Sequence, residues 1–358
     1  MTELGDLLIA RIRASQPITI ADYMAECLTH PTLGYYTNRD PLGSGGDFTT
    51  APEISQMFGE LIGLCLAECW LNQGAPEDAV LLELGPGRGT LMSDILRAAG
   101  KVAGFADAMS VHLLEVSEPL RARQALALGA TTPKWIDDLT DLSKDSRPVF
   151  FVANEFFDAL PIRQFERTNT AWRERVIGVD DGRLTFGLAP ENAATQMSDR
   201  LADTKSGDLV ELNAAANAIS TTLGQWVAER GGGGLIIDYG GWRSFGDTLQ
   251  ALADHKPCPV LEAPGKADLT THVDFEAVSR AAEAPGARVT QMTTQGIFLE
   301  RLGITQRAQN LATGLAGSDL DSHIAAHRRL THPEEMGELF KVIGIYPENT
   351  PPLAGLDA

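Results

Sequence analysis

The spacing of apolar positions changes along this chain. Near the N-terminus they recur at helical steps. Leu4, Leu7, Leu8 and Ile12 mark one amphipathic helix. Thr19-Ile20-Ala21-Asp22 has the form of a capping box and opens a second, carrying Tyr23, Met24, Cys27 and Leu28. Pro52 stands near the first position of a long helix with the stripe Ile54, Met57, Phe58, Leu61, Ile62, Cys65 and Cys69. From position 80 the pattern becomes short continuous apolar runs: Val80–Leu84, Met109–Leu114, Trp135-Ile136, Val149–Ala153 and Leu235–Ile237. Such runs suit strands buried on both faces of a parallel sheet. Helical patterns lie between them, with Leu91, Ile95 and Leu96 on one face and then Leu120, Leu126 and Leu128.

This alternation predicts an α/β fold, a mostly parallel sheet with helices on both faces. It is broken once. Arg173–Ile177 and Leu184–Leu188 flank Asp181-Gly182, a hairpin signal, and read as an inserted β-hairpin. A helix is then expected from about 210 to 229, ending at the glycine run 231–234. Asp274 caps a helix with Phe275, Val278 and Ala281, Arg288–Met292 reads as a strand, and 296–343 is helical in character. The proline-bearing tail is expected to be loose. The expected organisation is a helical extension over 1–75, a core over 76–300 with an insertion at about 165–207, and a helical region over 301–358.

In parallel sheets of this kind, ligands bind beyond the carboxyl ends of the strands. The first run leads into Gly85-Pro86-Gly87-Arg88-Gly89, and Thr90 can cap the next helix. Glycines let the backbone approach a ligand, and a helix start offers free N–H groups. The dinucleotide fingerprint would place its third glycine at position 90, which is Thr90, so a dehydrogenase reading is disfavoured. The turn, with Glu83 before it, resembles motif I of the class I S-adenosylmethionine (SAM) methyltransferases. A carboxylate there suits the ammonium and sulfonium end of that cofactor better than a diphosphate. Glu115 ends the second run, where a carboxylate accepts from both hydroxyls of a ribose. Asp137 and Asp138 end the third and border the expected adenine site.

The fourth run ends in Asn154-Glu155-Phe156-Phe157-Asp158. Glu155 and Asp158, with the Asn154 amide, suit a guanidinium whose attacking nitrogen must be oriented and relieved of a proton. The alternative is a capped helix start with local pairing. The polar loop 46–53 has two readings, a surface connection or a flap over the cofactor that supplies hydroxyls, such as Thr50 and nearby Ser55, and a carboxylate. His112 lies within a strand pattern and reads as packing; His272 reads as a structural hydrogen bond.

Composition narrows the partners. The chain has 358 residues, with 48 acidic against 29 basic and a net charge of −19. That balance opposes a nucleic-acid or anionic-membrane surface. The four cysteines lack metal-site spacing, and no apolar run has the length of a membrane helix. With no signal-peptide core, and with Glu3 and Asp6 against a transit peptide, a soluble cytoplasmic protein is expected.

Several of these motifs occur together in one known family. Residues 46–60, 83–92, Asn154–Pro161, Asp238-Tyr239-Gly240 and His272–Phe275 resemble, in order, the MidA-type methyltransferases. The resemblance implies a class I SAM-methyltransferase fold (Rossmann-like), SAM as cofactor and protein-arginine methylation. In the mitochondrial members the substrate is a core subunit of respiratory complex I. It also favours the flap reading, and without a presequence the chain resembles a bacterial member. Its rivals are small-molecule methylation by the same fold and a client-binding assembly factor with little catalysis.

Overall fold

The computed structural model describes residues 2–38, 49–192, 195–253 and 256–358. A central sheet organises them. Numbered within that sheet in chain order, its main strands are β1 (Ala79–Leu84), β2 (Met109–Leu114), β3 (Lys134–Ile136), β4 (Val149–Asn154), β5 (Gly232–Gly241) and β6 (Phe340–Tyr346). They lie in the order β6-β5-β4-β1-β2-β3. Neighbours are parallel except β6, which runs antiparallel to β5. The chain winds outward from β1 through β2 to β3, then returns to β4 on the other side. The order therefore reverses between β1 and β4, which is where such sheets bind ligands.

Side-chain alternation fills both faces. Leu81, Leu113, Phe150, Val152, Leu235 and Ile237 pack with the helices Gln56–Asn72 and Thr90–Ala99. Val80, Leu82, Leu84, Phe151, Ala153 and Ile236 pack with the helices Ala214–Arg230 and Phe275–Glu283. Burial on both faces explains why these strands read as unbroken apolar runs.

Around this core the structure departs from the sequence reading in specific places. The capping box forms, with the Asp22 N–H donating to Thr19 Oγ1 at 3.0 Å and the Thr19 N–H to Asp22 Oδ2 at 3.2 Å. The segment before it, Ile18–Thr19, is a strand that pairs with Trp172–Asp180. The expected hairpin exists around Asp181 and belongs to a five-stranded antiparallel sheet with Arg163–Arg167 and Leu209–Leu212. Residues 210–212 are therefore strand rather than helix; the helix begins at Ala214, where Asn213 caps it through the Ala216 N–H. The Arg288–Met292 strand shrinks to Arg288–Val289.

The end of the chain differs most. Residues 340–343 were expected to continue the helical region, yet the branched, largely apolar segment Phe340–Tyr346 forms β6 against β5. The tail is not loose, because Leu353 and Leu356 are buried against the core. The strand after the glycine run starts at Gly232 rather than Leu235. A Cβ at Gly232 would lie 2.1 Å from the Val149 carbonyl oxygen, so only glycine admits that approach. Asp47, Phe48 and the glycines before them lie outside the described residues. Among the described residues no helix is long and apolar enough to cross a membrane, and no cluster of three metal-ligating side chains occurs.

Candidate active site

A cavity of about 830 Å³ opens at the carboxyl ends of β1 to β4. On one side lies Glu83, at 2 % exposure, the last but one residue of β1. Its Oε2 has no hydrogen-bond partner among the described residues. Burial pushes its carboxyl up to about 8, against a backbone hydrogen bond from Met92. A buried anion without a cation is costly, so this oxygen is a place for a positively charged ligand group.

The glycine turn follows. Gly85, Gly87 and Gly89 all have positive φ. A Cβ on Gly85 would lie 2.7 Å from Phe156 Cδ2, so the turn presses directly on the loop after β4. The Gly89 N–H closes the turn on Pro86 O at 2.8 Å, and Gly89 rather than the expected Thr90 stands at the N-cap, because the left-handed turn at Gly89 leaves Thr90 as the first residue of the helix Thr90–Ala99. Thr90 donates its hydroxyl to Glu53, which also pairs with Arg88 at 3.8 Å.

Beyond the turn, Glu115 Oε1 accepts the Ser117 N–H at 2.8 Å, and Oε2 accepts the Gln124 side-chain amide at 3.1 Å. Burial raises its carboxyl above the usual range. The same Gln124 nitrogen donates to Gly87 O at 2.8 Å, and Gln124 Oε1 accepts from the Trp135 indole at 2.8 Å. Gln124 thus ties the turn to Glu115, a role missed in the sequence. Its signal was there: it lies on the buried stripe Leu120, Gln124, Leu128, four residues from each leucine. Asp137 pairs with Arg121 at 2.5 Å, and Asp138 accepts the Thr140 N–H at 2.7 Å, which holds its carboxyl below the ordinary range. With Leu114, Val116, Leu139 and Phe156 beside them, they border an apolar slot.

The far side is built by the loop after β4. Glu155 has φ +51, the left-handed region. Its Oε1 accepts the Ala51 N–H at 2.9 Å and the Asn154 side-chain amide at 3.1 Å. Burial pushes Glu155 up to about 7, and Asp158 beside it adds to the shift. Asp158 is pushed up to about 6 by burial, against a hydrogen bond from the Tyr239 hydroxyl. Asn154 Oδ1 and Asp158 Oδ1 have no partner among the described residues. Asp238, fully buried three residues before the end of β5, receives the backbone N–H groups of Phe156, Phe157 and Asp158.

The cavity therefore gathers Glu83, Gly85, Gly87, Thr90, Glu115, Asp137, Asp138, Asn154, Glu155 and Thr50 in its wall. Three expected residues do not line it. Gly89 faces the Gln124 backbone, Ser55 caps the helix Gln56–Asn72 by accepting the Met57 N–H at 3.2 Å, and Asp158 sits behind Glu155 in the 3-10 turn Phe157–Ala159. His272 packs edge-on to Tyr239 with ring centroids 5.5 Å apart, and His112 contacts Ser110 O at 2.9 Å; neither lines the cavity.

The chain is similar to known proteins in sequence and in fold. Residues 61–293 match a family model described as "Putative S-adenosyl-L-methionine-dependent methyltransferase". The chain is 38% identical over 369 residues to human mitochondrial protein arginine methyltransferase NDUFAF7, covering 95% of this chain and 82% of the relative. It is 38% identical over 365 residues to the Danio rerio protein of that name, with 94% and 85% covered. The fold matches a crystal structure of a Burkholderia thailandensis protein bound to S-adenosyl-homocysteine. There the TM-score is 0.82 at 29% identity, with 99% of this chain and 92% of the other covered.

Proposed function

We propose that this chain, which belongs to the S-adenosyl-L-methionine-dependent methyltransferase family matched above, methylates arginine side chains of a protein. The residues suit the cofactor. The Glu83 oxygen that has no partner among the described residues would hold its ammonium end, Glu115 its ribose diol, and the slot beside Asp137 and Asp138 its adenine. When bound, SAM supplies a methyl group activated on a sulfonium.

The observation that carries the arginine reading is the acidic edge after β4. A buried oxygen of Asn154 has no partner among the described residues, next to a Glu155 carboxyl at about 7. A guanidinium presents five donors in a plane and answers several acceptors at once. Glu155 in its ionised form would orient the attacking nitrogen and take its proton, which a group titrating near neutrality does well. Asp158, reached through Glu155, would add charge that keeps the guanidinium in place. The relatives are named protein arginine methyltransferases, and the motif resemblance extends the proposal to a respiratory complex I subunit or its bacterial counterpart. A bacterial cytoplasmic setting belongs to the same proposal.

Titration calorimetry with S-adenosyl-homocysteine, followed by transfer of labelled methyl from SAM into a lysate, tests this reading. Binding and label in the protein fraction are expected. No binding, or label only in small molecules, would overturn it.

A further inference from the structure

Three residues before the end of strand β5 stands a carboxyl group that water does not reach. Asp238 is 0 % exposed. Its Oδ2 accepts three successive backbone N–H groups, from Phe156 at 3.1 Å, Phe157 at 2.9 Å and Asp158 at 3.2 Å. Its Oδ1 accepts the N–H of Tyr239 at 2.9 Å. The residue before it, Ile237, accepts the Glu155 N–H at 2.9 Å through its carbonyl oxygen. The residue after it, Tyr239, hydrogen-bonds the Asp158 side chain. The end of one strand therefore grips every residue from Glu155 to Asp158.

Two features make this grip more than packing. Successive N–H groups that converge on one point form a nest for an acceptor oxygen, and Asp238 supplies that oxygen even though burial and the neighbouring Asp158 and Glu155 carboxyls push its own carboxyl well above the ordinary range. The gripped amides also directly follow Glu155, whose left-handed backbone is disfavoured for any residue with a Cβ. Such a conformation persists only where the surroundings over-determine it, and it collects at functional sites. The same loop touches the cofactor turn through Phe156 and Gly85, so its position sets the gap between the two halves of the cavity.

We propose that Asp238 is the positioning residue of the acidic edge: it locks Phe156–Asp158 so that Glu155 keeps its left-handed backbone and its carboxylate faces the methyl acceptor. The inference rests on the reading of Glu155 as the group that meets the acceptor. Asp238 lies behind the loop, does not line the cavity and acts through the loop alone.

The test uses the full chain with Asp238→Ala and Asp238→Asn, and Glu155→Gln as a reference. Kinetics of methyl transfer, calorimetry with S-adenosyl-homocysteine and amide hydrogen exchange over 154–159 are measured on each. Asp238→Ala should lower kcat about 100-fold while the KM for SAM and the Kd for S-adenosyl-homocysteine stay within about 3-fold, a split that misplacement produces and global unfolding does not. Exchange at 156–158 should speed up. Asp238→Asn, whose oxygen still accepts, should fall between. Should the alanine variant fail to fold, the asparagine variant decides, with kcat at least about 5-fold down at unchanged Kd. Wild-type kcat and exchange in both variants, or cofactor binding lost in step with kcat, would overturn the proposal. Wild-type kcat in Glu155→Gln would instead overturn the underlying reading of the site, while the exchange result would still report the grip.

Discussion

The two sides of the cavity are built differently. The proposed cofactor side is local: Glu83, the glycine turn, Glu115 and Gln124 come from one run of the chain between β1 and the helix after β2. Its key hydrogen bonds join near neighbours, such as Ser117 to Glu115 and Gln124 to Glu115. The proposed acceptor side is assembled from afar. Ala51 reaches Glu155 across 104 positions, Asp238 reaches Phe157 across 81, and the Thr271 N–H meets Asp158 O at 2.9 Å. A cofactor shared by many enzymes is met by a transferable unit. On the proposed reading, the group that distinguishes one substrate from another would be met by residues that only the finished fold brings together.

This contrast is broken or sharpened by mutation. The largest effect is expected at Glu155. Glu155→Gln should lower kcat about 1000-fold, while calorimetry finds S-adenosyl-homocysteine bound as tightly as before. Parallel loss of both would mean that the two sides are not separable. Next comes Gly85→Ala, which places a Cβ against Phe156 in a left-handed backbone. The Kd for S-adenosyl-homocysteine should weaken about 100-fold, from strain and clash together; an unchanged Kd would remove the turn from the cofactor site.

A smaller effect concerns pH. Glu83 and Glu155 have folded-state values of about 8 and about 7, above the ordinary carboxylate value. Their protonated forms are favoured by folding, so the stability they contribute is complete below the ordinary value. It is lost as pH rises through 7 and 8. The ligand-free protein should therefore lose Tm between pH 6 and 9, and Glu83→Gln should raise Tm at pH 9 by about 3 °C. A variant no more stable than wild type at pH 9 would mean that Glu83 bears no buried charge. The smallest effect is at Ser55. Ser55→Ala should cost about 1 kcal/mol of stability by loss of the cap and leave kcat intact, because Ser55 does not line the cavity. A fall in kcat without a fall in stability would return Ser55 to the site.

The same division decided what the sequence could disclose. β1, β2, β4 and their glycine turn were legible because continuous burial leaves continuous apolar runs, and a turn of three glycines is a local event. β6 was not legible. Phe340–Tyr346 follows a series of helices, and only its partner β5, more than a hundred positions earlier, makes it a strand. Gln124 reads as an ordinary surface residue of a helix unless its stripe is counted. Asp238 stood within a recognised motif, yet its task depends on where the loop after β4 comes to rest. Asp158 was rightly expected near Glu155, but the 3-10 turn sets it behind that residue rather than in the wall.

The central claim is methyl transfer from SAM to arginine of a protein at the acidic edge after β4. It is tested most directly by mass spectrometry of methyl-arginine in the proteome of a strain lacking this chain, complemented with wild type or with Glu155→Gln. The account predicts at least one methyl-arginine that is lost in the deletion, restored by wild type and not restored by Glu155→Gln. An unchanged set of methyl-arginines, or full restoration by Glu155→Gln, would contradict it.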